Sequence, residues 1–173
     1  MPWFWQRSPA DTPRPPMTRG QKIAAATAIA TSIAIPAEGI RQWAYNDPVG
    51  VLTVCYGQTG NVDPTRQYSM DECKALLNDS MRQAVEMTDA CAPGLPTKTL
   101  AALSDLTYNV GPRAVCDPEA STLARMLRMG EIAAACEELP RWNKARVAGV
   151  LVSLPGLTKR RELEKAICLE GLA

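Results

Sequence analysis

The stretch EGIRQWAYNDPVGVLTVCYGQTG, residues 38–60, decides which fold we predict for this chain. The letters NDPVG combine residue types that favour a turn, and the run VLTVCYG that follows is β-branched and aromatic. Runs of this kind beside turn residues are typical of short strands, so the stretch predicts a small hairpin or β-lobe. Its spacing also singles out Glu38, Asp47 and Thr53, which by spacing alone fit two surface carboxylates and an ordinary strand threonine.

Length and charge limit the classes of function. With 173 residues, the chain is long enough for one domain with a substantial core. Its 19 Lys and Arg residues nearly balance 18 Asp and Glu residues, so no global field favours nucleic acid as a partner. The absence of histidine excludes Ser-His-Asp and Cys-His catalysis and histidine-ligated zinc. Acid–base chemistry is left to carboxylates, lysine, tyrosine or cysteine.

The cysteines are scattered and never form a C-x-x-C pair, which argues against a zinc ribbon or a redox motif. An even number of scattered cysteines fits disulfides made outside the cytoplasm. Six buried thiols in a reduced protein are the alternative. Six cysteines allow about 15 pairings, and the spacing alone does not choose among them. They are Cys55, Cys73, Cys91, Cys116, Cys136 and Cys168.

The N-terminal part divides into a tail and an apolar segment. Residues 1–22 are rich in proline near their start and carry basic residues, which predicts an extended tail. Residues 23–37 are uncharged, with basic residues before them and Glu38 after them, as in a targeting segment. As a helix they would reach about 23 Å, short of a hydrocarbon core of about 30 Å. A buried alanine-rich helix and a signal peptide cleaved after Ala37 are the alternatives.

The chain after Gly60 changes to a helical period. SMDE at residues 69–72 is a capping box, and apolar residues follow it at helical spacing. Further helices are predicted from about Thr97 to Gly111, from Ser121 to Gly130, from Ile132 to Pro140, and within residues 154–172. The basic residues of the last helix, Lys159, Arg160, Arg161 and Lys165, are interpreted as a solvated face. A β-lobe followed by helices predicts an α+β fold with a cleft between the two parts.

The pattern Glu-x8-Asp-x5-Thr, formed by Glu38, Asp47 and Thr53, resembles the catalytic hairpin of the phage-type lysozymes, glycoside hydrolase family 24. Later segments are similar to landmarks of that family in the same order: TYNVG at 107–111, STLARML at 121–127, RWNKA at 141–145 and LPGLTKRRELE at 154–164. Two details depart from it. Gln58 stands where the family often has histidine, and only Gly149 remains of a glycine-rich turn after the tryptophan.

The resemblance implies a lysozyme-like α+β fold over residues 38–173, with a small β-lobe and a larger helical lobe. It implies hydrolysis of the β-1,4 bond between N-acetylmuramic acid and N-acetylglucosamine in peptidoglycan, with inversion and without a metal or organic cofactor. In this scheme Glu38 is the partly desolvated acid and Asp47 stays ionised. The Thr53 hydroxyl is expected to donate to Asp47 and to accept from the attacking water. A catalytically dead wall-binding protein and a lytic transglycosylase are the alternatives.

The apolar segment and the cysteines resemble one branch of the family, the signal-arrest-release endolysins of phages that infect Gram-negative hosts. That resemblance implies a monomer held in the host inner membrane by residues 23–37, with the tail of residues 1–22 in the cytoplasm and the rest of the enzyme, from Glu38 on, in the periplasm. The segment is then expected to leave the membrane and release the enzyme into the periplasm. It also supports sequential disulfides: Cys55 with Cys73, Cys91 with Cys116, and Cys136 with Cys168.

Overall fold

The computed structural model of the chain describes residues 15–47 and 50–173, and it has the predicted α+β architecture. Its α-helices are α1 (Arg19–Ala34), α2 (Met70–Cys91), α3 (Thr97–Val110), α4 (Arg113–Cys116), α5 (Thr122–Arg128), α6 (Ile132–Glu137) and α7 (Pro155–Glu170). A 3-10 helix covers Leu139–Trp142. The strands are β1 (Arg41–Asn46), β2 (Leu52–Cys55), β3 (Gln58–Thr59), β4 (Lys144–Val147) and β5 (Val150–Ser153).

Helix α1 begins earlier than the predicted apolar segment. Thr18 and Gln21 form a capping box there. The side chain of each residue accepts a hydrogen bond from the backbone N–H of the other. Residues 19–22, predicted as part of an extended tail, are therefore its first turn, and residues 1–14 of that tail lie outside the described residues. Helix α1 packs against α2, α3 and α7. Among the described residues, we find no helix with both the length and the apolar character needed to cross a membrane.

The predicted β-lobe is confirmed. Strands β1, β2 and β3 form an antiparallel sheet in that order, with Tyr45 opposite Thr53 and Val54 opposite Gln58. The sheet connects α1 to α2, so the end of α1, the sheet and the start of α2 follow one another directly along the chain.

The helical body is built around α3, which packs against α1, α2 and α7. Apolar residues recur along it at helical spacing, and they are buried at Leu100, Leu103 and Leu106, whereas Val110 in the last turn is exposed. The capping box predicted for α2 is present, with Ser69 and Glu72 each bonded to the other's backbone N–H. The helix periods therefore located most of the core.

The hairpin of β4 and β5, which pair antiparallel from Lys144 to Ser153, was not predicted, and neither were the short helix α4 and the 3-10 helix. Its two turn residues, Ala148 and Gly149, both have positive φ, as a tight two-residue hairpin turn requires. Such turns usually carry Asn or Asp in the first position, because these residues tolerate positive φ better than alanine does. The sequence therefore lacks the usual signal for this hairpin.

All six cysteines form disulfides, and the pairing is the sequential one implied by the resemblance. Cys55–Cys73 ties β2 to α2, and Cys91–Cys116 ties the end of α2 to α4. Cys136–Cys168 ties α6 to α7.

The predicted solvated face of α7 is wrong for two of its four basic residues. Arg160 and Arg161 are buried, the second completely. Two buried carboxylates pair with these guanidinium groups: Asp105 of α3 with Arg160, and Glu164 of α7 with Arg161. Charged groups enter an interior only when partners compensate the loss of water, and these carboxylates supply that compensation.

Candidate active site

Glu38 lies just after α1, where the chain leaves the helix toward the β-lobe. Its backbone N–H donates to the carbonyl of Ala34 at 3.0 Å, which continues the hydrogen bonding of the last helical turn. The side chain is 26% exposed, and its Oε1 accepts a hydrogen bond of 2.6 Å from Nη1 of Arg160. Glu38 is thus partly buried, as the sequence predicted for the acid, and is held by a cation from the other end of the chain.

Arg160 reaches Glu38 from α7 and is anchored by α3. Its Nε and Nη2 donate to the two carboxylate oxygens of Asp105, both at 2.8 Å. Burial opposes the charge of Arg160, but Asp105 and Glu38 outweigh that effect and raise the pKa of the guanidinium. Arg160 therefore stays charged at any pH in which the protein is folded.

Asp47 and Thr53 meet at the backbone of Val51. The carboxylate of Asp47 accepts from the Val51 N–H at 2.8 Å, and the Asp47 N–H donates to the Val51 carbonyl at 3.0 Å. The hydroxyl of Thr53 donates to the same carbonyl at 2.9 Å. We predicted that this hydroxyl would donate to Asp47, but its single proton goes to the carbonyl of Val51. Its lone pairs are not consumed by that bond.

Tyr108 of α3 connects the helical body to the β-lobe. Its hydroxyl donates to the carbonyl of Tyr56 at 3.0 Å and accepts from Nε2 of Gln58 at 3.3 Å. Burial and the nearby charge of Glu38 raise the pKa of Tyr108 to about 12, so its hydroxyl stays neutral. Gln58, which stands where the family often has histidine, also accepts from the Tyr56 N–H at 2.8 Å. This glutamine therefore closes the turn between β2 and β3.

Sequence reasoning singled out Glu38, Asp47 and Thr53 as candidates, and it did not single out Arg160, Asp105 or Tyr108, which the structure places around Glu38 and the β-lobe. Asp105 carries a usable signal, because it is the one charged residue within the otherwise uncharged run of residues 99–107 in α3. A charge at such a position indicates a buried partner. The partner itself is 55 residues away along the chain, so the sequence does not identify it.

Open space adjoins this cluster. A cavity of about 300 Å³ lies between the end of α1 and the start of α7 and is lined by Ile33, Pro36, Ala37, Gly156, Lys159, Arg160 and Leu163. A second cavity of about 400 Å³ lies between the start of α5, the 3-10 helix and the β4–β5 hairpin, and Trp142, Lys144 and Leu151 are among its walls.

Comparison with known proteins matches residues 36–164 to the family model described as phage lysozyme. The chain belongs to the phage lysozyme family. An SAR-endolysin of bacteriophage PS119 is 41% identical to it over 136 residues, which cover 78% of this chain and 77% of the relative. An SAR-endolysin of Enterobacteria phage P21 is 39% identical over 136 residues, which cover 78% of each chain. This phage lysozyme family member is therefore a glycoside hydrolase.

Solved structures agree with the fold. The muramidase domain of SpmX from Asticaccaulis excentricus superposes with a TM-score of 0.70 at 25% identity, covering 90% of this chain and 99% of that domain. The lysozyme-like architecture of this chain and its phage relatives together support the function of a peptidoglycan-degrading muramidase.

Proposed function

We propose that the enzyme hydrolyses the β-1,4 bond between N-acetylmuramic acid and N-acetylglucosamine in peptidoglycan and thereby lyses the host cell. The observation that carries this proposal is the placement of Glu38: its carboxyl group is partly exposed and fixed by Arg160 at the point where α1 meets the β-lobe. Asp47 and Thr53 come from the β-lobe itself, so the acid and the second carboxylate belong to different structural elements. Glycoside hydrolysis requires two such carboxyl groups with separate roles.

In the proposed reaction, Glu38 protonates the glycosidic oxygen as the bond to the sugar breaks. Asp47 accepts a proton from the attacking water, and Thr53 holds that water through a lone pair of its hydroxyl. The proton of Thr53 already goes to Val51, so the hydroxyl meets the water as an acceptor. Attack by water from the opposite face gives inversion at the anomeric carbon.

The test of these roles is Glu38→Gln in the full chain, assayed by loss of turbidity of permeabilised Gram-negative cells. Glutamine is nearly isosteric with glutamate and can still accept from Arg160, but it has no proton to deliver. General acid catalysis commonly contributes about 100- to 10,000-fold, so we expect a loss in that range, and a severe loss for Asp47→Asn.

Glu162→Gln is the matched control, since Glu162 is an exposed glutamate on α7. It should keep normal activity. A Glu38→Gln enzyme with more than about a tenth of normal activity contradicts the assignment, because that loss is smaller than an essential acid produces.

We also propose that residues 23–37 first hold the enzyme in the host inner membrane, with the lysozyme domain in the periplasm, and are then released. Two observations support this: the phage relatives are SAR-endolysins, and α1 is rich in alanine and other small residues. Ala26, Ala30 and Ala34 face the interior of the protein and are inaccessible. Small side chains insert weakly into a bilayer and also allow close packing between helices, so one segment suits both environments.

A further inference from the structure

Two carboxylates accept hydrogen bonds from the guanidinium group of Arg160, and they hold it unequally. Asp105 is completely inaccessible and takes two nitrogens, each at 2.8 Å. Glu38 is partly exposed and takes the third nitrogen at 2.6 Å. A bidentate pair of this kind fixes the plane of the guanidinium. The direction of Nη1, and with it the position of Glu38, is therefore set by Asp105.

The charge of Arg160 presents a difficulty for the proposed chemistry. A cation in direct contact with a carboxyl group favours its ionised form, whereas a general acid must carry a proton when the substrate binds. A second carboxylate bound to the same cation offsets much of its charge. Asp105 is in that position, on the far side of the guanidinium from Glu38.

We propose that Asp105 is a positioning residue for the reaction: it aims Arg160 at Glu38 and offsets its charge, so that Glu38 can hold and donate a proton. This inference rests on the proposed role of Glu38 as the acid. Asp105 itself does not touch the substrate.

The other ionisable groups around this cluster do not replace Asp105. Tyr108 of α3 keeps a neutral hydroxyl, since its pKa is about 12. Arg161 and Glu164 of α7 are both inaccessible and face each other at 2.5 Å. Burial raises the pKa of Glu164, and its nearer oxygen is 3.6 Å from Nε of Arg160. Glu164 hydrogen-bonds to Arg161 and also contacts Asp105, whereas the two short bonds to Nε and Nη2 of Arg160 come from Asp105.

Lys159 of α7 is a further cation near this cluster, and it is exposed where it lines the cavity beside Arg160. Water screens an exposed charge of this kind, so it does not offset or replace the buried charges.

The experiment measures kcat and KM of the full-length Asp105→Asn enzyme on soluble peptidoglycan fragments as a function of pH. Asparagine preserves the shape of the side chain but removes its charge. We expect kcat to fall about 10- to 100-fold while KM changes little, because a misplaced acid affects the chemical step. We also expect the alkaline limb of the activity profile to move to lower pH by about one unit, because the charge of Arg160 is no longer offset.

Two comparisons separate this effect from simple loss of structure. Asp89→Asn removes another buried aspartate that pairs with an arginine, but this pair lies between α1 and α2, away from Arg160. It should leave the alkaline limb at the wild-type pH. The double variant Asp105→Asn with Arg160→Gln removes both charges, so its alkaline limb should return to the wild-type pH or above while kcat stays low.

Partial unfolding to the same extent at every pH lowers the amplitude of a pH profile without moving its limb, and thermal unfolding measured across the same pH range shows whether each variant stays folded where its limb lies. The inference is wrong if the limb of Asp105→Asn stays at the wild-type pH, or if Asp89→Asn moves it equally. A fully active Glu38→Gln enzyme would instead contradict the proposed role of Glu38 as the acid. Failure of the Asp105 inference and failure of the proposed function are therefore distinguishable.

Discussion

The carbonyl group of Val51 shows how the backbone prepares the β-lobe for its proposed chemistry. It accepts from the Asp47 N–H and from the Thr53 hydroxyl, while the Val51 N–H donates to the Asp47 carboxylate, so both side chains are fixed relative to the backbone of Val51. Thr53 is 3% exposed, and few rotamers are open to a β-branched residue in a strand. Its oxygen is therefore held in one place before any water or substrate arrives.

This arrangement predicts different outcomes for two substitutions of Thr53. Thr53→Val keeps the shape but loses the oxygen, so kcat should fall about 100-fold through loss of the positioned water. Thr53→Ser keeps the oxygen and should retain most of the activity. The measurement is kcat of both purified variants, with thermal unfolding to show that each is folded. Equal activity in the valine and serine variants would show that the hydroxyl has no role.

Of the individual residues in the candidate site, the sequence pointed to only some. Glu38, Asp47 and Thr53 are close in sequence and form a recognisable pattern. Arg160 belongs to a run of charged residues. The composition of such a run does not tell whether a given arginine is solvated or buried. Its burial depends on Asp105, and that contact exists only after α3 and α7 have packed together.

Helix α1 has two faces that are used differently once it is packed. The buried face carries alanines and Ile33, while Ala24, Ala28 and Ser32 form an exposed face. Substitutions on the exposed face can therefore change how strongly the segment holds to a membrane without disturbing its packing on the protein.

Replacing Ala24, Ala28 and Ser32 together with leucine tests the membrane-release proposal. Leucine strengthens insertion of a helix into a bilayer, so the variant should stay in the membrane fraction and lyse cells more slowly than the parent after the membrane potential is collapsed. Glutamine at the same three positions is the control for side-chain size and should not be retained. Release and lysis by the leucine variant at the parental rate would show that residues 23–37 do not control activity.

The start of α1 is joined to the end of α2 by ion pairs. Nε of Arg19 lies 2.8 Å from Asp89, and Nζ of Lys22 lies 3.4 Å from it. Burial works against the charge of Asp89, but these two cations outweigh it and lower the pKa of the carboxyl group. Because the folded state has the lower pKa, the stabilisation is present above the unfolded value of about 4 and is lost as pH falls through the folded value.

Asp89→Asn should therefore weaken the packing of α1 at neutral pH. Hydrogen exchange of the α1 amides measures this directly, and we expect faster exchange in the variant while the amides of α3 stay protected. As the pH falls through the lowered pKa of Asp89, the carboxyl group of the parent is also protonated, so the exchange rates of the two proteins should converge. Identical exchange at neutral pH would mean that these ion pairs do not hold α1 in place.

Across the whole molecule, the disulfides join elements that the hydrophobic core also brings together. Cys136–Cys168 closes the longest of the three loops, with a sequence separation of 32 residues. Its partners are inaccessible and lie in α6 and α7.

Replacing both Cys136 and Cys168 with serine should lower the free energy of unfolding by about 3 to 4 kcal/mol, mainly because the unfolded chain gains freedom. Urea unfolding of the two proteins gives this difference. Cys55 and Cys73, replaced in the same way, provide the comparison for the shorter loop of 18 residues and should lose about 3 kcal/mol. A loss below about 1 kcal/mol for the longer loop would contradict the expected role of chain restriction.

The whole fold was predictable to the extent that each element had a local signal. Capping residues and apolar periods marked α2 and α3, and turn residues marked the β-lobe. The β4–β5 hairpin has an unusual turn at Ala148, and Val147, Val150 and Leu151 remain exposed, so neither turn chemistry nor burial gave it a pattern. The disulfide pairing followed from resemblance to relatives, because spacing alone left every pairing open.

The most direct test of the central claim is the chemistry of the ends that the enzyme leaves in peptidoglycan. Purified peptidoglycan is digested by the full chain in water labelled with heavy oxygen, and the fragments are examined by mass spectrometry. A muramidase should leave reducing N-acetylmuramic acid ends that carry one heavy oxygen for each bond cut, and Glu38→Gln should leave none. Anhydro-muramic ends without the label would indicate a lytic transglycosylase, and binding without new ends would indicate a wall-binding protein; either result would contradict the proposed hydrolysis.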